Sequence, residues 1–274
     1  MSAIADTCAL CPRLCRHVCP VAVGTGLESA TPTAILTEVM ISNRSKGEHQ
    51  LAAQAVDLCT RCGHCEDFCG VDQPVVALLD DARTRLQDSP PAWTPPRVQG
   101  HAPTVAIICG AVDWSEALSE HTGQEFAILK THDHLGEAHR IRTDTRDEVI
   151  ALLARTLQGR TAISSCATCT EALAAADITV ETIEAVSQQM PRLPTWRTCH
   201  CAPGPSVDTI VRCCGARAPL TLQQPELARA MSAEILRRLD GQAIYVPNTR
   251  CAEHLQDAGV QAVGPADSIP NMED

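Results

Sequence analysis

Two cysteine quartets near the start of the chain have the residue types and spacing of iron–sulfur ligands. The first is Cys8, Cys11, Cys15 and Cys19, followed by Pro20. The second is Cys59, Cys62, Cys65 and Cys69, and it reads C-x2-C-x2-C-x3-C, the ferredoxin spacing. Such a run brings three thiolates to one face of a cubane, and its fourth cysteine ordinarily reaches the neighbouring cluster. The pattern therefore predicts two [4Fe–4S] clusters. Cys8, Cys11, Cys15 and Cys69 would hold one, and Cys59, Cys62, Cys65 and Cys19 the other. Two departures bear on this pairing: the Pro12–Leu14 gap has three residues where two are usual, and Gly70 replaces the usual proline. A pair of structural zinc sites is the alternative. Zinc knuckles, however, take two ligands from each of two separated hairpins and rarely stack four cysteines in so short a run, twice.

The quartets sit in a chain of 274 residues, long enough for one large domain or two ordinary ones. It carries sixteen cysteines, too many for background and grouped too tightly for a disulfide scaffold. The start, MSAIADT, has neither a basic nor an apolar region of a secretory signal. The longest apolar stretch, Val105–Val112, is far too short to cross a bilayer. The chain thus reads as a soluble protein of a reducing cytoplasm, without a transmembrane segment. A net charge of −11 excludes the basic footprint that nucleic-acid binding requires. With only two Phe, one Tyr and three Trp, the core must come from Ala, Leu, Val and Ile, with metal centres as cross-links.

The elements that must position these residues fall into two parts. Residues 1–87 read as helical: Ile35, Leu36, Val39 and Met40 share one face of Thr33–Arg44. Helices are also predicted over His49–Leu58 and Pro74–Leu86. Residues 88–103 contain five prolines and read as an extended linker. In residues 104–274, strands are predicted at Thr104–Ile108, Glu125–Leu129, Thr161–Ser164, Ala243–Pro247 and Val260–Val263. Helices are predicted at Thr145–Leu157, Thr168–Ala176, Pro225–Leu239 and Cys251–Ala258. This alternation predicts an α/β domain with a largely parallel sheet. The expected class is α + α/β. No G-x-G-x-x-G fingerprint follows a strand, so flavin or nicotinamide would belong to a partner.

Eight further cysteines lie beyond the linker: Cys109, Cys166, Cys169, Cys199, Cys201, Cys213, Cys214 and Cys251. Adjacent Cys213 and Cys214 cannot easily reach one mononuclear ion but can bridge irons of a larger cluster. Cys251 and His254 share a helical face and could address one site.

Arg212–Leu239, which opens RCCGARAP, together with NTRCAEHLQDAG, resembles the cysteine-rich CCG domain. That domain occurs in the disulfide-reducing component of heterodisulfide reductase and in the iron–sulfur subunits of glycolate and lactate oxidases. The N-terminal part resembles the helical two-cluster component of heterodisulfide reductase. The resemblance implies a fusion of these two heterodisulfide reductase components: a helical ferredoxin-like module with two [4Fe–4S] clusters, then a cysteine-rich α/β domain. It implies a non-catalytic electron-transfer subunit serving a flavoprotein dehydrogenase or other redox subunit, with a quinone, another carrier or a disulfide as acceptor. The alternative it implies is an enzyme doing thiol–disulfide chemistry at a noncubane C-terminal cluster. Against the family pattern, the first half has no CCG between Cys109 and Cys166–Cys169, only Thr131–His139. The histidines there, His132, His134 and His139, read as surface residues. At most one C-terminal cluster is then expected, on Cys201, Cys213, Cys214 and Cys251, with Cys166 or Cys169 able to join. Cys109 would pack as a small hydrophobe and Cys199 would be spare.

Overall fold

The computed structural model describes residues 7–8, 11, 14–45, 49–110, 112–187, 193–196, 213–217 and 220–269. Cys199 and Cys201 lie outside them.

Helices fill the first part. Helix α1, Pro20–Thr25, starts at a proline and stops at Gly26, whose φ of 71° a side chain would resist. Helix α2, Pro32–Arg44, is capped by Thr31, whose hydroxyl accepts from the amide of Ala34. Helices α3 (Gln50–Val56), α4 (His64–Asp67) and α5 (Val75–Leu86) follow. Their apolar faces close one core around Ile35, Leu36, Val39, Ala52, Val56 and Leu79. Periodicity predicted α2, α3 and α5 to within a few residues. It missed α1, whose PVAVGT is too short to show a period.

The sheet of the second part runs β2-β1-β3-β4, all parallel. Strand β1 is Thr104–Cys109, β2 Ala127–Thr131, β3 Thr161–Ser164 and β4 Val180–Glu181. Alternate residues of β1 enter different cores. Val105, Ile107 and Cys109 pack with Leu129, Leu153 and Leu173, whereas Ala106 and Ile108 pack with Trp114, Leu118 and Ile183. Helices cover both faces, the usual condition for a parallel sheet. They are α6 (Ser115–Thr122), α7 (Glu137–Arg140), α8 (Arg146–Thr156), α9 (Ala167–Ala175) and α10 (Ile183–Ser187). The chain leaves β1 toward β2 on one side and returns as β3 on the other. In open sheets of this kind, sites form at the carboxyl ends beside such a switch.

The remaining described residues form α11 (Leu220–Gln223), α12 (Pro225–Leu239), a parallel pair β5 (Ile244–Tyr245) and β6 (Ala262–Val263), and the intervening α13 (Thr249–Asp257). Helix α13 is pinned to the sheet's carboxyl edge. Thr249 donates its amide to the Ser165 carbonyl at 3.0 Å and its hydroxyl to Ser165 Oγ at 2.6 Å. Helix α12 lies across α1, with Gly24 against Met231.

The proline-rich segment, residues 88–103, carries no helix or strand of its own, but it is not a free tether. Gln99 exchanges backbone hydrogen bonds with Ile128, and Val98 and Ala102 pack on the sheet core. Trp93 packs there too and donates to Asp133 at 2.5 Å. Beside it, the buried Arg142 donates to the carbonyls of Arg83 and Thr84 in the last turn of α5 and of Gln87 and Asp88 just beyond it. Arg146 reaches Asp80 of α5 at 2.7 Å. The two parts are thus joined by charge-assisted hydrogen bonds as well as by chain.

Candidate metal centres

Three cysteines of each run stand near the last cysteine of the other run. Burial pushes the Cys8 thiol up to about 11, and the neighbouring Cys69, Cys15 and Cys11 push in the same direction. Burial likewise raises Cys19 to about 12, with Cys62 and Cys59 adding to it. Cys65 is raised by burial and by Cys59, Cys62 and Cys19. Thiols this reluctant to ionise alone must shed protons when they bind a metal.

Cys19, Cys59, Cys62 and Cys65 line one cavity whose other walls include Val21, Ile35 and Val76, with no carboxylate or lysine. Backbone amides point at sulfur: Arg61 at Cys59 and Gln73 at Cys69, each at 3.3 Å. Soft thiol donors, an apolar surround and amide-to-sulfur hydrogen bonds suit an iron–sulfur cluster.

Cys213 and Cys214 are neighbours in sequence but serve different surroundings. Cys213 donates to Thr60 Oγ1 at 3.4 Å and hydrogen-bonds Cys62, the largest influence raising the Cys62 thiol. Cys214 hydrogen-bonds Cys251, which lowers its pKa, and accepts from the Ala216 amide at 3.4 Å. Of the expected third set, Cys214 and Cys251 are hydrogen-bonded to each other and Cys213 to Cys62, while Cys201 lies outside the described residues. His254 hydrogen-bonds backbone groups. Its Nε2 donates to the Ala228 carbonyl at 3.2 Å, and burial lowers its pKa. Turned toward α12, the ring ties backbones together.

A different group forms at the sheet edge. Cys109 ends β1, His134 follows β2, and Cys166 and Cys169 open α9 after β3. Their ligand atoms all lie within 4.8 Å of one another. Among the described residues no other set of three or more such groups is so compact. His134 Nδ1 is 2.6 Å from Cys109 Sγ and 3.5 Å from Cys166 Sγ. Hydrogen bonds from Cys109 and Cys169, and then from His134, hold Cys166 well below the ordinary thiol range. Its partner Cys169 is raised, first by burial.

This group corrects two expectations. Cys109 packs in the core, as a small hydrophobe would, but its sulfur also faces this group. Of the three histidines expected at the surface, only His132 is exposed. The loop after β2 folds over the carboxyl end of the sheet and carries His134 inward. The available signal was that Cys109, His134 and Cys166–Cys169 each follow a strand of one parallel sheet, where the topology makes distant residues converge.

A buried ion network links this edge to the cysteine pair. Glu137 accepts from Arg217 Nε at 2.6 Å and Arg250 Nη1 at 3.2 Å, and Arg217 also reaches Glu171 at 2.7 Å. Gly110, with φ 122°, lies so close to Glu253 that a Cβ would come within 2.7 Å of its carboxylate. The φ is what favours glycine there, since the Glu253 carboxylate is the movable end of its side chain.

Residues 4–72 match the family model described as a 4Fe-4S dicluster domain, a span that includes both cysteine quartets. Searches of curated proteins and of solved structures returned no match. The domain match supports iron–sulfur binding and an electron-transfer role. No helix among the described residues is long and apolar enough to cross a membrane.

Proposed function

We propose that the chain is an electron-transfer subunit holding two [4Fe–4S] clusters and passing electrons from a flavin-dependent dehydrogenase to a downstream acceptor. Cys8, Cys11, Cys15 and Cys69 hold the first cluster, and Cys19, Cys59, Cys62 and Cys65 the second. The observation that carries this reading is the cross-run grouping, in which the last cysteine of each run stands with the first three of the other. Bound clusters of this type accept and release single electrons at potentials set by burial and hydrogen bonding. The protein's own part is to keep the thiols convergent, exclude water with the α2 and α5 faces, and direct amides and cations at sulfur. Arg83 and Arg61 both favour ionised Cys59 against its burial. Phe68 and Val71 are exposed on either side of Cys69. That apolar patch is where a redox partner would dock.

The test is anaerobic purification with iron and sulfide counting. Two clusters require about eight irons per chain, and Cys62→Ser should lose about four. A colourless, sulfide-free preparation would sink the proposal.

A second reading, thiol–disulfide chemistry like that of heterodisulfide reductase, draws on the Cys214–Cys251 pair and on Cys213 abutting Cys62. It predicts about twelve irons and a new paramagnetic signal on adding a thiol substrate. Eight irons and an unchanged spectrum would count against it.

A further inference from the structure

We propose that Cys109, His134, Cys166 and Cys169 bind one zinc ion in a closed tetrahedral site that fastens the carboxyl edge of the sheet. Distance separates this assignment from an iron–sulfur cluster. Donors around one zinc, with bonds of about 2.0–2.3 Å, stand about 3.5–4 Å apart. Thiolates on a cubane each sit on a different iron and stand about 6 Å apart. All four donors here lie within 4.8 Å of one another, closer to the first spacing than to the second, and His134 Nδ1 and Cys109 Sγ, 2.6 Å apart, would separate by about 1 Å to take the ion.

The donor set agrees. Three thiols and one imidazole form a recurrent structural zinc set, and no carboxylate belongs to it. His134 presents Nδ1 to the sulfurs, so Nδ1 would be the ligand and Nε2 would keep its proton. The three cysteines are buried and His134 is half-buried, leaving no open position for substrate. The role is therefore structural.

The backbone is arranged at a cost to deliver the histidine. His134, Leu135 and Gly136 are all left-handed, with φ of 53°, 57° and 74°. For leucine that conformation is unfavourable and persists only where the surroundings enforce it. The enforcing group is Arg140, itself buried. It donates to the carbonyls of His134, Leu135 and Thr168 at 3.0–3.1 Å. One guanidinium thereby fixes the histidine loop to the helix turn that carries Cys169. It also offsets the surplus negative charge of three thiolates on a divalent ion.

The full-length protein, purified anaerobically and dialysed against EDTA, should retain about one zinc per chain. Its zinc absorption edge should report about three sulfurs and one nitrogen. His134→Ala should lower retained zinc by at least about tenfold with iron unchanged, whereas His134→Cys should keep the metal with four sulfurs. The proposal is overturned if the wild type holds no zinc after dialysis. It also fails if its zinc is coordinated by oxygen, or if Cys169→Ser loses iron and sulfide instead. The wild-type edge decides even where a variant does not fold. Because the readout is zinc, its failure leaves the two-cluster reading standing.

Discussion

Arg61 and Asp80 form a bidentate ion pair inside the protein, Nε to Oδ1 at 2.8 Å and Nη2 to Oδ2 at 2.9 Å. Arg61 lies between Cys59 and Cys62, in the left-handed region at φ 56°. Asp80 also accepts from Arg83 at 3.1 Å and Arg146 at 2.7 Å. One carboxylate on α5 therefore sets the conformation of a ligand loop and receives a guanidinium from the sheet-bearing part.

Replacing Asp80 with Asn leaves three guanidiniums around a neutral amide. Breaking a buried pair from one side costs about 3–5 kcal/mol. Denaturant unfolding should show a loss of that size. Iron should fall toward about four per chain as the Cys59–Cys62 loop relaxes. Full iron retention in a destabilised variant would mean that the loop holds its shape without the pair.

Cys213→Ala should retain both clusters, because Cys213 is a neighbour of Cys62 and not one of the eight proposed ligands. Removing a side chain hydrogen-bonded to Cys62 shifts the potential of the second centre. Redox titration should show one midpoint moving and the other fixed. A loss of iron would instead make Cys213 a ligand.

Arg142→Ala should loosen the joint between the parts. Four carbonyls at and just beyond the end of α5 lose the guanidinium, though Arg83 keeps the Gln87 amide, at a cost on the order of 2 kcal/mol. Limited proteolysis should then cut within residues 88–103, where the wild type resists.

The same arginine governs an acid response. Its side-chain hydrogen bond is the main cause holding the Asp144 carboxyl at about 2, below the unfolded value of about 3.9. A depressed carboxyl stabilises the fold above its unfolded value and ceases to do so as pH falls toward its folded one. The stability gap between wild type and Asp144→Asn should be level above pH about 4 and shrink toward pH about 2. Urea unfolding across that window measures it, and a gap that widened on acidification would contradict the assignment.

Gly24→Val tests the seat of α12 on α1. A Cβ at Gly24 would come within 3.2 Å of Met231 Cγ and 3.3 Å of its Cα, and the latter is backbone that cannot swing away. Overpacking of this kind costs about 1–3 kcal/mol. Thermal unfolding should register it.

The front quartets were legible in the sequence because their ligands come in short runs whose spacing carries the chemistry. Helices with long apolar faces, such as Pro32–Arg44 and Pro225–Leu239, were legible for the same local reason. The group at the sheet edge was not. Cys109 ends β1, His134 and Cys166 follow β2 and β3, and only the strand order β2-β1-β3 makes them meet. His134 further depends on a left-handed turn that no propensity favours for Leu135. The doublet Cys213–Cys214 was conspicuous as a motif, but spacing could not say that its sulfurs serve different surroundings.

The docking of residues 88–103 has a consequence for redox partners. With Trp93 seated and Gln99 stitched to Ile128, the iron-binding front cannot swing on a leash to shuttle between distant stations. A donor or acceptor must come to it and fit the face it presents.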